Sequence, residues 1–192
     1  MKIPLRFQIT EYDCGTVSLL NAFSYLYERE DIPAPLIKAI FKYTLDCYDE
    51  DGNLGQGGTS KEAVSKLMHW ITKFSKANSF SVKCEHLEKG AVTLSKIVDC
   101  LNNNGCVFVR SFLENDDHYI LVTKLKSNKV YIFDPYYLDK AKYIRSKNVR
   151  IVLNKPFSHN RVVSLKRFFS ETTDDFSLGP VFNRECVLIN RI

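Results

Sequence analysis

The stretch that decides the fold runs from residue 104 to residue 135 and reads NGCVFVRSFLENDDHYILVTKLKSNKVYIFDP. It contains three short runs rich in β-branched and aromatic residues, and the polar turns ENDD and KSNK separate them. Runs of this length and composition predict β-strands, and short polar turns between them predict antiparallel neighbours. We therefore expect an antiparallel sheet to form around this stretch.

The residues on either side of this stretch complete the pattern. Before it, apolar residues recur at helical spacing in four segments, 15–30, 36–48, 59–74 and 94–103. The third segment opens with Thr59 and Glu62, the pattern of a capping box. After it, strand-like runs recur at 149–154, 161–165 and 185–192. Helices first and strands later favour an α+β fold with a mainly antiparallel sheet over a doubly wound parallel sheet.

Length and composition restrict the class of protein. The 192 residues suit a single domain that spans 1–192. Lys and Arg outnumber Asp and Glu by 27 to 22, and this net charge of +5 is scattered, so we expect no nucleic-acid partner. No window approaches the ~18 apolar residues of a membrane span. The start lacks the apolar core of a signal peptide, so we expect a cytoplasmic protein.

The cysteines do not form a metal-binding or redox pattern. There are six, at positions 14, 47, 84, 100, 106 and 186, and none belongs to a Cys-x-x-Cys pair. This spacing argues against a zinc site or a thioredoxin-type pair. Reduced thiols are the default without a secretion signal. We expect no metal and no cofactor.

Cys14 is the candidate nucleophile because it directly precedes a predicted helix. A thiol attacks an amide as the thiolate, and the unpaired N–H groups of a helix start favour an anion. Gly15 lacks a Cβ, so a substrate carbonyl could approach the backbone there. Gln8 could supply a side-chain N–H to the developing oxyanion.

His118 is the candidate base, since it opens a strand directly after a polar turn. Asp134 ends the next strand, and Pro135 leaves its carboxylate at that strand end. The two residues are an even number of positions apart, but the visible turn is centred between Ser127 and Asn128. A bulge or a diagonal arrangement is therefore needed to bring the two side chains together.

Five parts of the chain together resemble the bacteriocin-processing peptidases. They are Gln8 and the segments YDCGTVSLL (12–20), GTS (58–60), DDHYILVTKL (116–125) and KVYIFDP (129–135). These are papain-like cysteine peptidase domains of peptide-exporting ABC transporters, and they have stand-alone relatives. The resemblance covers residues from about 4 to about 138 and implies a papain-like fold. It implies an acyl-enzyme on a peptide or protein substrate, often cut after Gly-Gly or Gly-Ala.

By this resemblance Cys14 is the nucleophile, His118 the general base and acid, and Asp134 the residue that orients the imidazole. Gln8 is the oxyanion donor. The chain departs from the family where Thr16 and Val17 replace the usual Pro-Ala or Ala-Ala, and it shows no transporter portion. Two alternatives to a peptide hydrolase stay open. One is an acyltransferase or transamidase with the same triad, and the other is a peptide-binding module that does not cleave. The sequence does not identify a partner protein.

Three further residues are expected to contact substrate: Gly15, Asp117 and Tyr119. Tyr119 follows His118 and could line the cleft. Asp117 belongs with Glu114 and Asp116 to the turn before the strand, and this acidic turn is expected to favour positively charged substrates.

Overall fold

The computed structural model describes residues 1–138 and 140–192. Within them the chain forms five α-helices, α1 (Cys14–Leu26), α2 (Ala34–Tyr43), α3 (Lys61–Asn78), α4 (Leu94–Asn102) and α5 (Leu165–Phe168). The same residues form seven strands, β1 (Val82–Glu88), β2 (Cys106–Leu113), β3 (Asp116–Lys126), β4 (Lys129–Phe133), β5 (Val149–Ile151), β6 (Arg161–Ser164) and β7 (Glu185–Arg191). These strands lie in the order β1-β7-β2-β3-β4-β6-β5, and each neighbouring pair is antiparallel. The predicted α+β fold with an antiparallel sheet is confirmed.

The helices differ from the sequence prediction mainly at their ends. α2 ends at Tyr43 rather than at residue 48. The predicted capping box at Thr59 is wrong, because Ser60 is the N-cap of α3 and its Oγ accepts a hydrogen bond from Ala63 N at 3.0 Å. Thr59 instead lies against Gly15, so its hydroxyl serves the packing of α1 rather than the start of α3.

Both faces of the sheet are covered. Helices α1, α2 and α3 pack on one face, where Tyr119 and Leu121 of β3 join their core. Helices α4 and α5 pack on the other face, against Ile120 and Val122. Since successive residues of a strand point to opposite faces, a strand covered on both sides is apolar at every position. This explains the continuous apolar run of β3.

The described residues after position 139 contribute three strands to the same sheet. β5 and β6 extend the sheet beyond β4, while β7 lies between β1 and β2. β6 pairs with β4 and brings Arg161 opposite Ile132, close to the end of β4 where Asp134 follows. The organisation of residues 1–192 as a single domain stays a prediction. In the part of the chain that the structure describes, no helix is both long enough and apolar enough to cross a membrane.

Candidate active site

A β-bulge allows His118 and Asp134 to meet. The register between β3 and β4 shifts by one residue at Thr123. Without this extra residue, Asp134 would be turned to the opposite face of the sheet from His118, because a slip of one residue reverses the facing of every side chain. With it, His118 Nε2 lies 2.7 Å from Asp134 Oδ1. The bulge supplies the correction that the position of the turn requires.

The environment of His118 favours its protonated form. The side chains of His118 and Asp134 are both buried, with relative exposures of 5% and 0% for the two residues. Burial lowers the pKa of His118, but the charge of Asp134 and the hydrogen bond to it raise the pKa. Hydrogen bonding to Cys14 and the charge of Cys14 raise it further, to about 10. Because Asp134 occupies Nε2, Nδ1 is the ring nitrogen left for Cys14.

Cys14 is the first residue of α1 and is 8% exposed. The first N–H groups of a helix have no acceptor within it, and no side chain caps α1. This helix start therefore presents free donors and positive partial charge beside the sulfur. Ser18, one turn further on, donates its hydroxyl to Tyr119 O at 3.0 Å and holds α1 against β3 next to His118.

The loop before Cys14 is held by Asp13. Although Asp13 is the N-cap residue of α1, its carboxylate turns back and accepts from Thr10 N at 3.0 Å and from Ile9 N at 3.3 Å. In the same loop Gln8 N donates to Pro135 O at 2.9 Å, which ties this loop to the residue after Asp134. The loop before Cys14 and the end of β4 are therefore directly connected.

Gln8 has one free polar atom. Its Nε2 donates to Thr10 O at 2.7 Å, whereas its Oε1 is buried and has no hydrogen-bond partner among the described residues. One hydrogen of the amide nitrogen is thus engaged and the second is not. The role of Gln8 as an oxyanion donor stays a prediction.

Asp134 is fixed by residues that the sequence analysis did not single out. Asn160 accepts from Asp134 N at 2.8 Å and donates to Asp134 O at 2.7 Å. Tyr136 N donates to Oδ1 at 2.9 Å, and Arg161 Nη2 lies 3.2 Å from Oδ2. Arg161 is the first residue of β6 and Asn160 directly precedes it, 26 or more residues further along the chain than Asp134. Only the pairing of β6 with β4 could have revealed them, and local sequence pattern does not determine that pairing.

The space beside Gly15 is occupied by protein. A Cβ at this buried glycine would lie 2.6 Å from Thr59 Oγ1 and 3.3 Å from the ring of Tyr119. Tyr119 is itself buried, stacks on Phe108 with ring centroids 4.6 Å apart, and donates its hydroxyl to Glu185 Oε2 at 2.7 Å. The observed contacts of Gly15 and Tyr119 are therefore internal, and their contact with substrate stays a prediction.

The acidic turn before β3 is largely neutralised. Asp117 forms an ion pair with Arg110, and Glu114 forms one with Lys142. The expected negative rim therefore has cations bound to two of its three exposed carboxylates, and Asp116 is the one for which no ion pair is seen in the described residues. A substrate contact by Asp117 stays a prediction.

A second polar cluster lies on the face of the sheet that carries Tyr119. The ligating atoms of His86, Glu88 and Glu185 lie within 4.8 Å of one another, a spacing that could hold a metal ion. However, the fully buried Glu185 carboxylate already accepts from Tyr119 and lies 2.8 Å from His86 Nε2. The buried member of the cluster is thus satisfied by protein contacts, and sequence analysis missed Glu185 because its partners come from distant strands.

A helix-start cysteine, a buried histidine that interacts with it and a carboxylate behind that histidine are typical of cysteine peptidases. The model of the Peptidase_C39 like family matches residues 1–158. The chain belongs to this family and is a cysteine peptidase, which confirms the resemblance to the bacteriocin-processing peptidases.

No curated protein matched the chain significantly. Among solved structures, the chain is similar to a double glycine motif protease from an AMS/PCAT transporter, in complex with the leader peptide. The alignment has 13% sequence identity and a TM-score of 0.48, and it covers 100% of this chain and 93% of that protein.

Proposed function

We propose that the chain hydrolyses a peptide bond through an acyl-enzyme on Cys14. The observation that carries this proposal is the buried contact of His118 Nε2 with Asp134 Oδ1 at 2.7 Å, on an imidazole that also interacts with Cys14. A protonated imidazole beside a thiol favours the thiolate, and the thiolate is the attacking species. Membership of a peptidase family supports a peptide or protein as the substrate.

The first half of the reaction forms the acyl-enzyme. The Cys14 thiolate attacks the substrate carbonyl carbon, and the carbonyl oxygen becomes an oxyanion. The free N–H groups at the start of α1 and the second amide hydrogen of Gln8 donate to that oxyanion. His118 then gives its Nδ1 proton to the leaving amine as the C–N bond breaks, which leaves a thioester on Cys14 and a neutral imidazole.

The second half releases the product. Neutral His118 takes a proton from water, whose oxygen attacks the thioester carbonyl. The C–S bond then breaks, the carboxylic acid leaves, and Cys14 and His118 return to the thiolate–imidazolium pair. Asp134 keeps the ring oriented and stabilises the imidazolium through both halves. In an acyl transferase an amine would take the place of this water.

Selective alkylation of Cys14 tests the proposal without a known substrate. Burial raises the pKa of the thiols at Cys84, Cys100, Cys106 and Cys186. Burial and the neighbouring charge of Asp46 raise the pKa of Cys47. Iodoacetamide at neutral pH should therefore modify Cys14 first, as read by peptide mass mapping, because the thiolate fraction sets the rate.

The matched control is Cys47, a partly exposed thiol outside the site. His118→Ala should slow alkylation of Cys14 and leave that of Cys47 unchanged. Equal rates at the two cysteines, or no effect of His118→Ala, would contradict the proposal. Peptide pools incubated with the enzyme in the presence and absence of amine acceptors then distinguish hydrolysis from transfer, since transfer yields an amide product.

A further inference from the structure

Arg161 is a buried cation directly behind the candidate site. It is the first residue of β6 and is 1% exposed, which places it among the largest fully buried side chains. Its Nη1 donates to Asn160 O at 3.1 Å, and its Nη2 donates to Tyr136 O at 3.0 Å. Because a buried charge is costly unless it is paired, a carboxylate partner is expected, and Asp134 supplies it.

The Asp134 carboxylate is divided between two neighbours. Oδ1 accepts the hydrogen bond of His118 and that of Tyr136 N. Oδ2 lies 3.2 Å from Arg161 Nη2 but off the hydrogen-bonding direction, so this contact is an ion pair rather than a hydrogen bond. The oxygen that does not face the imidazole therefore faces the guanidinium.

We propose that Arg161 is a positioning residue for the reaction, which pairs with the Asp134 carboxylate and keeps it turned with Oδ1 toward His118. This inference rests on the proposed function, since it assigns Arg161 a role through Asp134 and His118. It also gives a role to the residues after about 138, for which the family resemblance offered none. Arg161 touches neither substrate nor the sulfur in this assignment.

The charged groups around the pair are balanced. Cys14 of α1 and Asp134 after β4 carry the negative charges of the active form, and His118 of β3 and Arg161 of β6 carry the positive charges. Removal of the guanidinium leaves one excess negative charge. Each remaining group would then bind a proton more readily, because a nearby cation disfavours protonation.

Two tyrosines also lie close to the pair, and both carry no charge near neutral pH because their pKa values are raised. Tyr143 lies in the 3₁₀ turn Lys140–Tyr143. Burial and then the hydrogen bond to Asp175 raise the pKa of Tyr143. The charge of Asp134 also raises this pKa, and the charge of Arg161 lowers it. The hydrogen bond to Glu11 raises the pKa of Tyr136, whose ring contacts His118. Neither tyrosine replaces the charge of Arg161.

The test measures the rate of iodoacetamide alkylation of Cys14 against pH in four proteins. These are the wild type, R161Q, R161K and the matched control R184Q, which alters another buried arginine whose hydrogen bonds go to Gly179 O and Phe169 O. The acid limb of each profile is the pH range in which the alkylation rate of Cys14 rises from its low-pH value. This limb should move upward by about 1 pH unit in R161Q, whereas R161K and R184Q should keep the wild-type limb. A purely structural role would lower stability without moving the limb.

The outcomes separate this inference from the proposed function. An unmoved limb in R161Q, together with slow alkylation in His118→Ala, overturns the role of Arg161 and leaves the proposed function intact. Unchanged alkylation in His118→Ala overturns the proposed function itself. If R161Q does not fold, the guanidinium ¹⁵N signals of the wild type carry the test: the Arg161 signal should shift across the acid limb while that of Arg184 does not. A constant Arg161 signal overturns the inference.

Discussion

Asn160→Ala should be among the most damaging single substitutions near the site, although Asn160 touches neither Cys14 nor His118 in the described contacts. Its side chain satisfies both backbone groups of Asp134, at 2.8 Å and 2.7 Å, and Asp134 is fully buried. Truncation leaves one buried N–H and one buried C=O without a partner. Each such group costs about 1–3 kcal/mol, so the free energy of unfolding should fall by about 2–6 kcal/mol.

Urea denaturation followed by circular dichroism measures this loss. A domain of ordinary stability has about 5–15 kcal/mol, so the Asn160→Ala midpoint should drop clearly. The matched control is Asn103→Ala, whose side chain also donates to a backbone carbonyl, that of Asp99, at 2.8 Å but in an exposed position. That change should cost within about 0.5 kcal/mol. Equal midpoints for the two variants would refute the reasoning.

Three further changes test packing and protonation. Leu19→Ala should lower the free energy of unfolding by about 2–5 kcal/mol in thermal or urea denaturation, because Leu19 is fully buried. Leu20→Ala should lower it less, because Leu20 is only partly buried. The reverse order would contradict the assignment of the core. Gly15→Ala should destabilise the fold by about 1–3 kcal/mol through its clash with Thr59, and Thr59→Gly in the same chain should recover most of that loss. Turnover of a peptide should fall as pH rises through about 10, since His118 with a pKa of about 10 must still hold its proton for the leaving amine; a fall centred near pH 7 would contradict this.

The local parts of the fold could be predicted from the sequence. The periods of the apolar residues identify the helices and strands, and the even spacing of His118 and Asp134 with an off-centre turn correctly required a bulge or a diagonal pairing. The bulge at Thr123 then makes the approach of the two side chains a consequence of the β3–β4 hairpin alone. Short-range patterns were sufficient because both partners lie on adjacent strands.

The parts that could not be predicted depend on distant partners. Asn160 and Arg161 act on Asp134 only because β6 pairs with β4, and Glu185 meets Tyr119 only because β7 enters the sheet beside β2. The apolar patterns of β6 and β7 allow many neighbours. Thr59 illustrates the same limit, because a contact with α1 overrides the local pattern that predicted a cap.

The position of β7 has a consequence for how the chain folds as it leaves the ribosome. β7 is the last strand in the described sequence but fills the place between β1 and β2, and its register joins Glu88 to Glu185. Until it is synthesised, β1 has no partner strand and one edge of β2 is open, and open edges invite pairing with other chains. Pairings this far apart in sequence close slowly. The nascent chain should therefore stay aggregation-prone until residues 185–191 have emerged.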